Sequence, residues 1–228
     1  MIASETKTTA WLSVAKKAAL LAGEFLRKKD PANVEISVES RRDIKIAADC
    51  RSERIILDCL KENSDFSILS EEQGLIPEKE KDFIWVVDPL DGTFNYMRGI
   101  PLCAVSIGLW KGDTPVLGVV YDFGRSELFS GISEKGGWLN DRALKVSDTS
   151  DKKRAVLCTG FPVNTDFSAG NMEAFSDNAR SHKKMRLLGS AALSICYVAS
   201  GRADAYSERD IMFWDIAGGI PILLGAGG

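Results

Sequence analysis

Acidic side chains recur in this sequence where apolar segments end. Glu71 follows the segment FSIL, Asp88 and Asp91 follow FIWVV, and Asp215 lies where a helix is predicted to begin. Loops at strand ends are where α/β proteins build their sites. Carboxylates, carbonyls and water are the ligands that Mg²⁺, Mn²⁺ and Ca²⁺ prefer, so these residues predict chemistry that uses a hard cation.

The segment DPLDGT carries the most information. Its proline fixes one backbone angle, so a tight turn can direct Asp88, Asp91 and the Leu90 carbonyl toward one point. Gly92 and Thr93 can begin a helix whose backbone N–H groups face an anion. DPxDG alone is also an ordinary β-turn. The helix start that follows it favours a site where a phosphate and a metal meet.

Taken singly, the other acidic residues have structural explanations. Glu71 beside Glu72 is typical of a solvated acidic loop, and an aspartate such as Asp215 commonly caps a helix N-terminus. Their joint occurrence, in this order and with these flanking residues, favours a shared site.

The composition excludes several other kinds of active site. The chain has 228 residues, 45% of them hydrophobic and 27% charged, and it contains one histidine. Triad hydrolases and zinc enzymes with several histidine ligands depend on that side chain. We interpret His182, in the polar run SHKKMR, as part of a solvated basic turn. The net charge of −3 gives no electrostatic footprint for nucleic acid.

The cysteines and the N-terminal segment indicate a cytoplasmic protein. Five cysteines are scattered without a CxxC pair, which is typical of reduced thiols. Glu5 precedes the first lysine, and Lys16 and Lys17 interrupt the apolar stretch, so a signal peptide is not expected. No run approaches the roughly 18 apolar residues of a membrane span. We therefore expect neither nucleic acid nor a membrane as a partner.

Helices and strands should alternate around these carboxylates in α/β layers. FSIL and FIWVV are predicted as strands on either side of a polar loop, QGLIPEKEKD, with FIWVV ending at DPLDG, and the central region should be mainly sheet. MRLL and ADAYS predict further strands. The glycines and Pro221 in WDIAGGIPILLGAGG should kink the last helix. The other helices are predicted over 5–29, 47–62, 169–181 and 190–199.

Three ordered blocks resemble the inositol monophosphatase family of lithium-sensitive, metal-dependent phosphatases. The blocks are SEE (70–72), WVVDPLDGTFNYMRGIP (85–101) and LLGSAALSICYVASGRADAYSERDIMFWDIAGG (187–219). A looser likeness extends to the first helix, DIKIAAD (43–49) and TGFP (159–162), so it spans nearly the whole chain. It implies the layered αβαβα sugar-phosphatase fold of inositol monophosphatase and fructose-1,6-bisphosphatase, with mixed sheets. Residues 1–228 would form a single domain of two packed lobes, roughly 1–140 and 141–228.

The resemblance also implies a metal site. Glu71, Asp88 and the Leu90 carbonyl would hold one Mg²⁺, and Asp88, Asp91 and Asp215 would hold a second, with Mn²⁺ as a substitute. Asp88 would bridge the two ions, and the resemblance implies no phosphoenzyme.

The remaining roles also follow from the resemblance. With Asp88, the catalytic residues would be Glu71 and Thr93, which orient a water that the metals activate for in-line attack on phosphorus. The backbone N–H groups of Gly92 and Thr93 would hold the phosphate. A carboxylate at Glu208 suits a polyol because it accepts hydrogen bonds from hydroxyl groups. The other substrate contacts would be Gly189, Ser190 and Ala191.

Two stretches depart from the family pattern. In ESRRDIKIAAD, Ile46 stands where a threonine is usual, and Asp43 is assigned to an outer metal. The chain also stops at GAGG, whereas relatives are expected to continue for a few tens of residues, so we expect a shortened C-terminal end.

The spacing of two acidic residues argues against one rival family, and two other questions stay open. Haloacid dehalogenase phosphatases also place an acidic motif after an apolar strand, but their two acids lie two residues apart, whereas Asp88 and Asp91 lie three apart. A catalytically weak family member could act as a binding or regulatory protein. Inositol 1-phosphate is the first substrate expected, and histidinol phosphate, fructose 1,6-bisphosphate, NADP and a nucleotide 3′-phosphate are the others. Relatives commonly form homodimers, so we expect one here.

Overall fold

A large sheet and a small sheet carry most strands, and helices pack against both. The computed structural model describes residues 5–28, 36–39, 44–162 and 165–228. In those residues the helices are α1 (Glu5–Arg27), α2 (Ala47–Lys61), α3 (Thr93–Met97), α4 (Ala169–Ser181), α5 (Ala191–Ala199), α6 (Phe213–Ala217) and α7 (Gly219–Gly225). The strands are β1 (Ile36–Glu39), β2 (Ile44–Ile46), β3 (Phe66–Ser70), β4 (Gly74–Ile76), β5 (Glu80–Asp91), β6 (Ala104–Lys111), β7 (Thr114–Asp122), β8 (Glu127–Ile132), β9 (Gly136–Leu139), β10 (Arg142–Ala143), β11 (Val156–Thr159), β12 (Lys184–Leu187) and β13 (Ala205–Tyr206).

The large sheet is mixed, with the strand order β10-β9-β8-β7-β6-β5-β3-β4. β3 and β5 run parallel, and Ser70 lies opposite Val87, so the carboxyl ends of both strands meet at one edge. Antiparallel pairs build the rest of this sheet, for example β5 with β6. The predicted α/β fold with mixed sheets is therefore confirmed.

The small sheet has the order β12-β11-β13, and both of its pairings are parallel. Its central strand ends at Thr159, and β13 ends at Tyr206 beside it. Gly160 and Glu208 therefore leave the sheet at the same edge, as the carboxyl ends of parallel strands do.

The two faces of the large sheet bury separate cores. α1 and α2 cover one face, where Leu26, Ile56, Trp85 and Ile107 are fully buried. On the other face, Phe129 packs with residues of α5 and α7. Burial of each such side chain contributes roughly 1.5–3 kcal/mol.

Glycines in the large sheet let α6 and α7 approach its backbone. A Cβ at Gly108 would collide with the carbonyl of Ala217, and one at Gly118 would collide with Gly218. The Trp110 indole also donates to the Ala217 carbonyl at 3.1 Å. These contacts fix the position of α6, which carries Asp215.

The elements differ from the sequence prediction in several places. α1 ends at Arg27, two residues before the expected end. The strand predicted to stop before DPLDG continues through it to Asp91. The predicted loop between the two strands contains β4 and the first residues of β5. As expected, the last helical segment is interrupted, and it divides at Gly218 into α6 and α7.

Two further expectations concern regions rather than elements. Asp43 lies outside the described residues, and the division into two lobes near residue 140 stays a prediction. Within the described ranges, none of the helices combines the length and apolar character needed to cross a bilayer.

Candidate active site

Asp88 and Asp91 lie at the irregular end of β5. The pairing with β6 loses its register between them, so the strand bends as it reaches Gly92. Asp88 is 1% exposed and Asp91 7% exposed. The Asp88 carboxylate accepts a hydrogen bond from the Leu90 backbone N–H at 3.0 Å, which fixes its direction.

Glu71 reaches the same edge from β3. Its backbone N–H donates to the Val87 carbonyl at 3.2 Å, so the parallel pairing continues one residue past the strand. Burial, followed by the nearby charges of Asp215, Glu72 and Asp49, raises the pKa of Glu71 to about 8, and a hydrogen bond with the Asp88 side chain opposes this shift. Glu71 and Asp88 are therefore close neighbours.

Asp91 is bound by the start of α5. It accepts hydrogen bonds from the Ala192 N–H at 2.9 Å and the Ala191 N–H at 3.3 Å, and a very short one from the Ser190 hydroxyl. Burial and then the charge of Asp215 raise the pKa of Asp91 to about 7, against the effect of these donors. Ser190 is 4% exposed and its hydroxyl also caps α5 by accepting from Leu193 at 3.2 Å.

The Ser190 hydroxyl thus donates a hydrogen bond to the Asp91 carboxylate. The predicted contacts of Gly189, Ser190 and Ala191 with substrate stay predictions.

Asp215 completes the group from α6. Burial raises its pKa to about 6, although its carboxylate accepts a hydrogen bond from the Met212 N–H at 3.0 Å. The N-cap of α6 is Met212, so Asp215 occupies the third helical position and reaches back to the cap. Asp215 is therefore not itself the cap, which was the structural alternative to its predicted role as a metal ligand.

The four acidic residues act on one another. Burial raises the pKa of Asp88 well above its ordinary value, and the charges of Glu71, Asp91 and Asp215 raise it further. The sequence prediction that these four carboxylates share one place is therefore consistent with the electrostatics of the fold.

Gly92 and Thr93 follow the carboxylates in a tight turn. Gly92 has a φ of 85°, and a Cβ there would lie 2.8 Å from the Leu102 carbonyl oxygen and 3.1 Å from that of Gly189. Glycine is therefore required here both by the backbone conformation and by space. The Thr93 hydroxyl donates to the Leu90 carbonyl at 3.0 Å.

Asn95 ties this turn to the loop before α5. Its side-chain amide donates to the carbonyls of Leu102 and Leu188, both at 2.8 Å, and to that of Gly189 at 3.4 Å. The turn predicted to hold phosphate and the loop predicted to lie beside the substrate are thereby bound to each other.

Glu208 lies beside the carboxylate group at the edge of the small sheet. The Tyr206 hydroxyl donates a hydrogen bond to the Glu208 carboxylate at 3.0 Å. A Cβ added to Gly160 would lie 2.6 Å from a carboxylate oxygen of Glu208. Burial first, with a contribution from Asp215, raises the pKa of Glu208 to about 6. A cavity of about 120 Å³ opens next to it, lined in part by Phe161. This geometry is compatible with the predicted contact to substrate hydroxyl groups.

Sequence reasoning missed Asp49. This residue is 3% exposed in the first turn of α2, accepts from the Ile46 N–H at 2.9 Å, and helps to raise the pKa of Glu71. The prediction instead chose Asp43 from the same DIKIAAD segment. The helix period could have separated the two, because it places Asp49 on the buried side of α2 with Ser52 and Glu53.

The donor chemistry of this group fits a divalent cation. The charged groups that shift the pKa of Glu71 and Asp88 most are all carboxylates, so the buried negative charges have no basic side chain among those neighbours. In the part of the chain that the structure describes, no three His, Cys, Asp or Glu side chains are arranged closely enough to hold a metal ion as they stand. The oxygens of Asp88, Asp91 and Asp215 instead accept protein hydrogen bonds. Asp88, Asp91, Asp215 and Glu71 would hold the cation.

Comparisons with known proteins agree on one family. A sequence profile described as the inositol monophosphatase family matches residues 7–228. An inositol-1-monophosphatase of Synechocystis is 38% identical over 221 residues, which is 96% of this chain and 77% of the relative. A Nus factor SuhB of Pasteurella multocida is 38% identical over 222 residues, 95% of this chain and 83% of the relative.

Solved structures give the same result. The extragenic suppressor protein SuhB of Bartonella henselae superposes with a TM-score of 0.90 at 33% identity, covering 96% of this chain and 85% of that one. An inositol monophosphatase from Anabaena superposes with a TM-score of 0.84 at 36% identity, covering 96% and 82%.

Proposed function

The chain belongs to the inositol monophosphatase family and is a phosphoric monoester hydrolase, and we propose that it uses Mg²⁺ to hydrolyse a small phosphate ester, inositol 1-phosphate first among the candidates. The observation that carries the proposal is that two buried carboxylates, Asp88 and Asp91, lie close to two half-buried ones, Glu71 and Asp215. Burial, and then the repulsion of their like charges, raises the pKa values of Glu71, Asp88 and Asp91. A divalent cation is the partner that such a group of oxygens suits.

When bound, Mg²⁺ supplies positive charge to phosphoryl oxygens and lowers the pKa of water. Glu71, whose pKa of about 8 in the metal-free protein would fall on binding the cation, would then be ionised and accept the proton of the attacking water. Thr93 donates its hydroxyl hydrogen to the Leu90 carbonyl, so its oxygen keeps a lone pair that can orient the same water. Gly92 and Thr93 would present backbone N–H groups to the phosphate, because the first residues of a helix leave such groups without intrahelical partners.

Glu208 would select the alcohol part of the ester. One of its oxygens accepts from Tyr206, which leaves the other to accept from a substrate hydroxyl group. Its pKa of about 6, raised mainly by burial, keeps it mostly ionised at neutral pH. A polyol such as inositol supplies the matching donors.

The test is a substrate panel with Mg²⁺. Inositol 1-phosphate, histidinol phosphate, fructose 1,6-bisphosphate, NADP and adenosine 3′,5′-bisphosphate are assayed for phosphate release, and kcat/KM is compared. The highest value is expected for inositol 1-phosphate. Equal low values for all five would contradict the substrate proposal, and no release with Mg²⁺ or Mn²⁺ would contradict the reaction.

Calorimetry and mass spectrometry, together with the panel, test the alternatives. A binding or regulatory protein would bind Mg²⁺ in calorimetry but release no phosphate from any ester. We include this measurement because some relatives are named Nus factor SuhB. Mass spectrometry during turnover should find no aspartyl phosphate at Asp88, whereas a haloacid dehalogenase mechanism requires a phosphorylated aspartate. Lithium inhibition, a cytoplasmic location and a homodimer are further proposals, and light scattering checks the last.

A further inference from the structure

Glu53 is a buried carboxylate of α2 that no step of the proposed reaction uses. It is 1% exposed. The Ser70 hydroxyl donates a very short hydrogen bond to it, the backbone N–H groups of Glu72 and Gln73 donate at 3.2 Å each, and the Gln73 side-chain amide donates at 2.6 Å. Four donors from one short segment therefore converge on a single side chain.

These donors stand on both sides of Glu71. Ser70 precedes it at the end of β3, and Glu72 and Gln73 follow it before β4 begins. The Glu71 N–H itself donates to the Val87 carbonyl at 3.2 Å. The backbone of Glu71 is thus fixed by β5 and its two flanks are fixed by Glu53, so its side chain projects toward Asp88 from a held segment.

A carboxylate suits this place better than any other side chain. Its two oxygens only accept hydrogen bonds, and bonds to a charged acceptor are shorter and stronger than those between neutral groups. The four donors also compensate for burying the charge. Glutamine has the same shape but would present an NH₂ group to donors, which cannot bond with it.

We propose that Glu53 is a positioning residue that holds segment 70–73 so that Glu71 stands in the geometry for binding the cation and for accepting the proton of water. The inference rests on the proposed function for its catalytic part. Its structural part, the ordering of segment 70–73, can be measured without substrate or metal.

The experiment compares the wild type with Glu53→Gln in three measurements. Hydrogen–deuterium exchange of segment 70–73 in the metal-free protein should speed up at least about 10-fold, because its anchoring acceptor is weakened. Mg²⁺ affinity by calorimetry and kcat should each fall roughly 10-fold to 100-fold, the usual effect of losing a partner that orients a ligand. KM for the ester should change less than about 3-fold, because Glu53 touches no part of the proposed substrate site.

Asp58→Asn is the matched control on the same helix. The Asp58 side chain is 70% exposed and reaches Arg54 only at 4.0 Å, so this variant should behave as the wild type in all three measurements. Gln73→Ala tests the same contact in case Glu53→Gln does not fold. Gln73 is exposed, and the change removes only its side-chain hydrogen bond to Glu53. It should speed exchange of the segment by a smaller factor.

The outcomes separate the two proposals. If folded Glu53→Gln keeps wild-type exchange in segment 70–73, Mg²⁺ affinity and kcat, the positioning role is refuted. Faster exchange spread evenly over α2 and β3, with unchanged Mg²⁺ affinity, also refutes it, because Glu53 would then be a purely structural residue. A wild type that releases no phosphate overturns the proposed function, while exchange and Mg²⁺ affinity still decide the role of Glu53.

Discussion

The metal-free protein should lose stability as the pH rises from 6 to 8, and Mg²⁺ should restore it most at the higher pH. The reason is the raised pKa of Glu71, about 8 against an ordinary 4.5, which results first from burial and then from neighbouring carboxylates. The folded protein binds this proton more tightly than the unfolded chain does. Because the unfolded state then carries fewer protons, stability falls with pH between the two pKa values.

The size of the effect follows from the same pKa. At pH 6 the folded protein keeps Glu71 almost fully protonated, at pH 8 it is half ionised, and the unfolded chain is ionised throughout. Linkage then gives a loss of about 2 kcal/mol, an upper value because the side chain is partly open to solvent. For a chain of this length the melting temperature should fall by about 4–8 °C. Asp91, with a pKa raised mainly by burial to about 7, acts in the same direction.

The assay is thermal unfolding at pH 6, 7 and 8, in EDTA and in about 10 mM Mg²⁺. The increase in Tm on adding Mg²⁺ should be larger at pH 8 than at pH 6, because protons compete with the cation for the same oxygens. Glu71→Gln is the control, and its metal-free Tm should depend less on pH. A metal-free Tm that stays constant or rises between pH 6 and 8, or an equal effect of Mg²⁺ at both, would refute the reasoning.

Three substitutions test the site itself. Asp88→Asn should lower kcat by roughly 100-fold or more, because it removes charge from the proposed bridge between two ions, and near-normal turnover in a phosphate-release assay would contradict that role. Glu208→Gln should change the ranking of esters in the substrate panel more than it changes kcat on the best of them, and an unchanged ranking would exclude Glu208 from substrate selection. Gly160→Ala should displace the Glu208 carboxylate, because the added Cβ would lie 2.6 Å from one of its oxygens. The kcat/KM for a polyol phosphate should therefore fall, while Tm shifts by only about 2–4 °C. An equal loss of kcat/KM on all esters would argue against a selective effect.

The frame of the site could be predicted from sequence because it depends on local patterns. Helical spacing located α2 and α4 to within a residue, and the apolar segment FSIL located β3. The end of β5 was placed too early, because proline and glycine in DPLDG favour a turn in isolation. Pairing with β6 on one side overrides that preference and carries the strand to Asp91 through a register shift.

What sequence could not supply were the contacts between distant segments. The hydroxyl of Ser190 on Asp91 and the amide of Asn95 on Leu188 join residues about a hundred positions apart, and no local pattern records either pairing. Asp49 was missed for a related reason. The helix period could have shown that Asp49 is buried, and its hydrogen bond from the Ile46 backbone is an ordinary capping contact. Only the folded chain brings it near Glu71.

The same carboxylates that suit catalysis destabilise the folded state when no cation is bound. Asp88 is fully buried among like charges that raise its pKa, and burying such a group without a compensating cation costs stability. Asp88→Asn should therefore raise the metal-free Tm at pH 8 while it removes activity, and Mg²⁺ should then stabilise the variant less than the wild type. Opposite movement of stability and turnover in one substitution is the signature of a residue kept for its reaction and not for its fold.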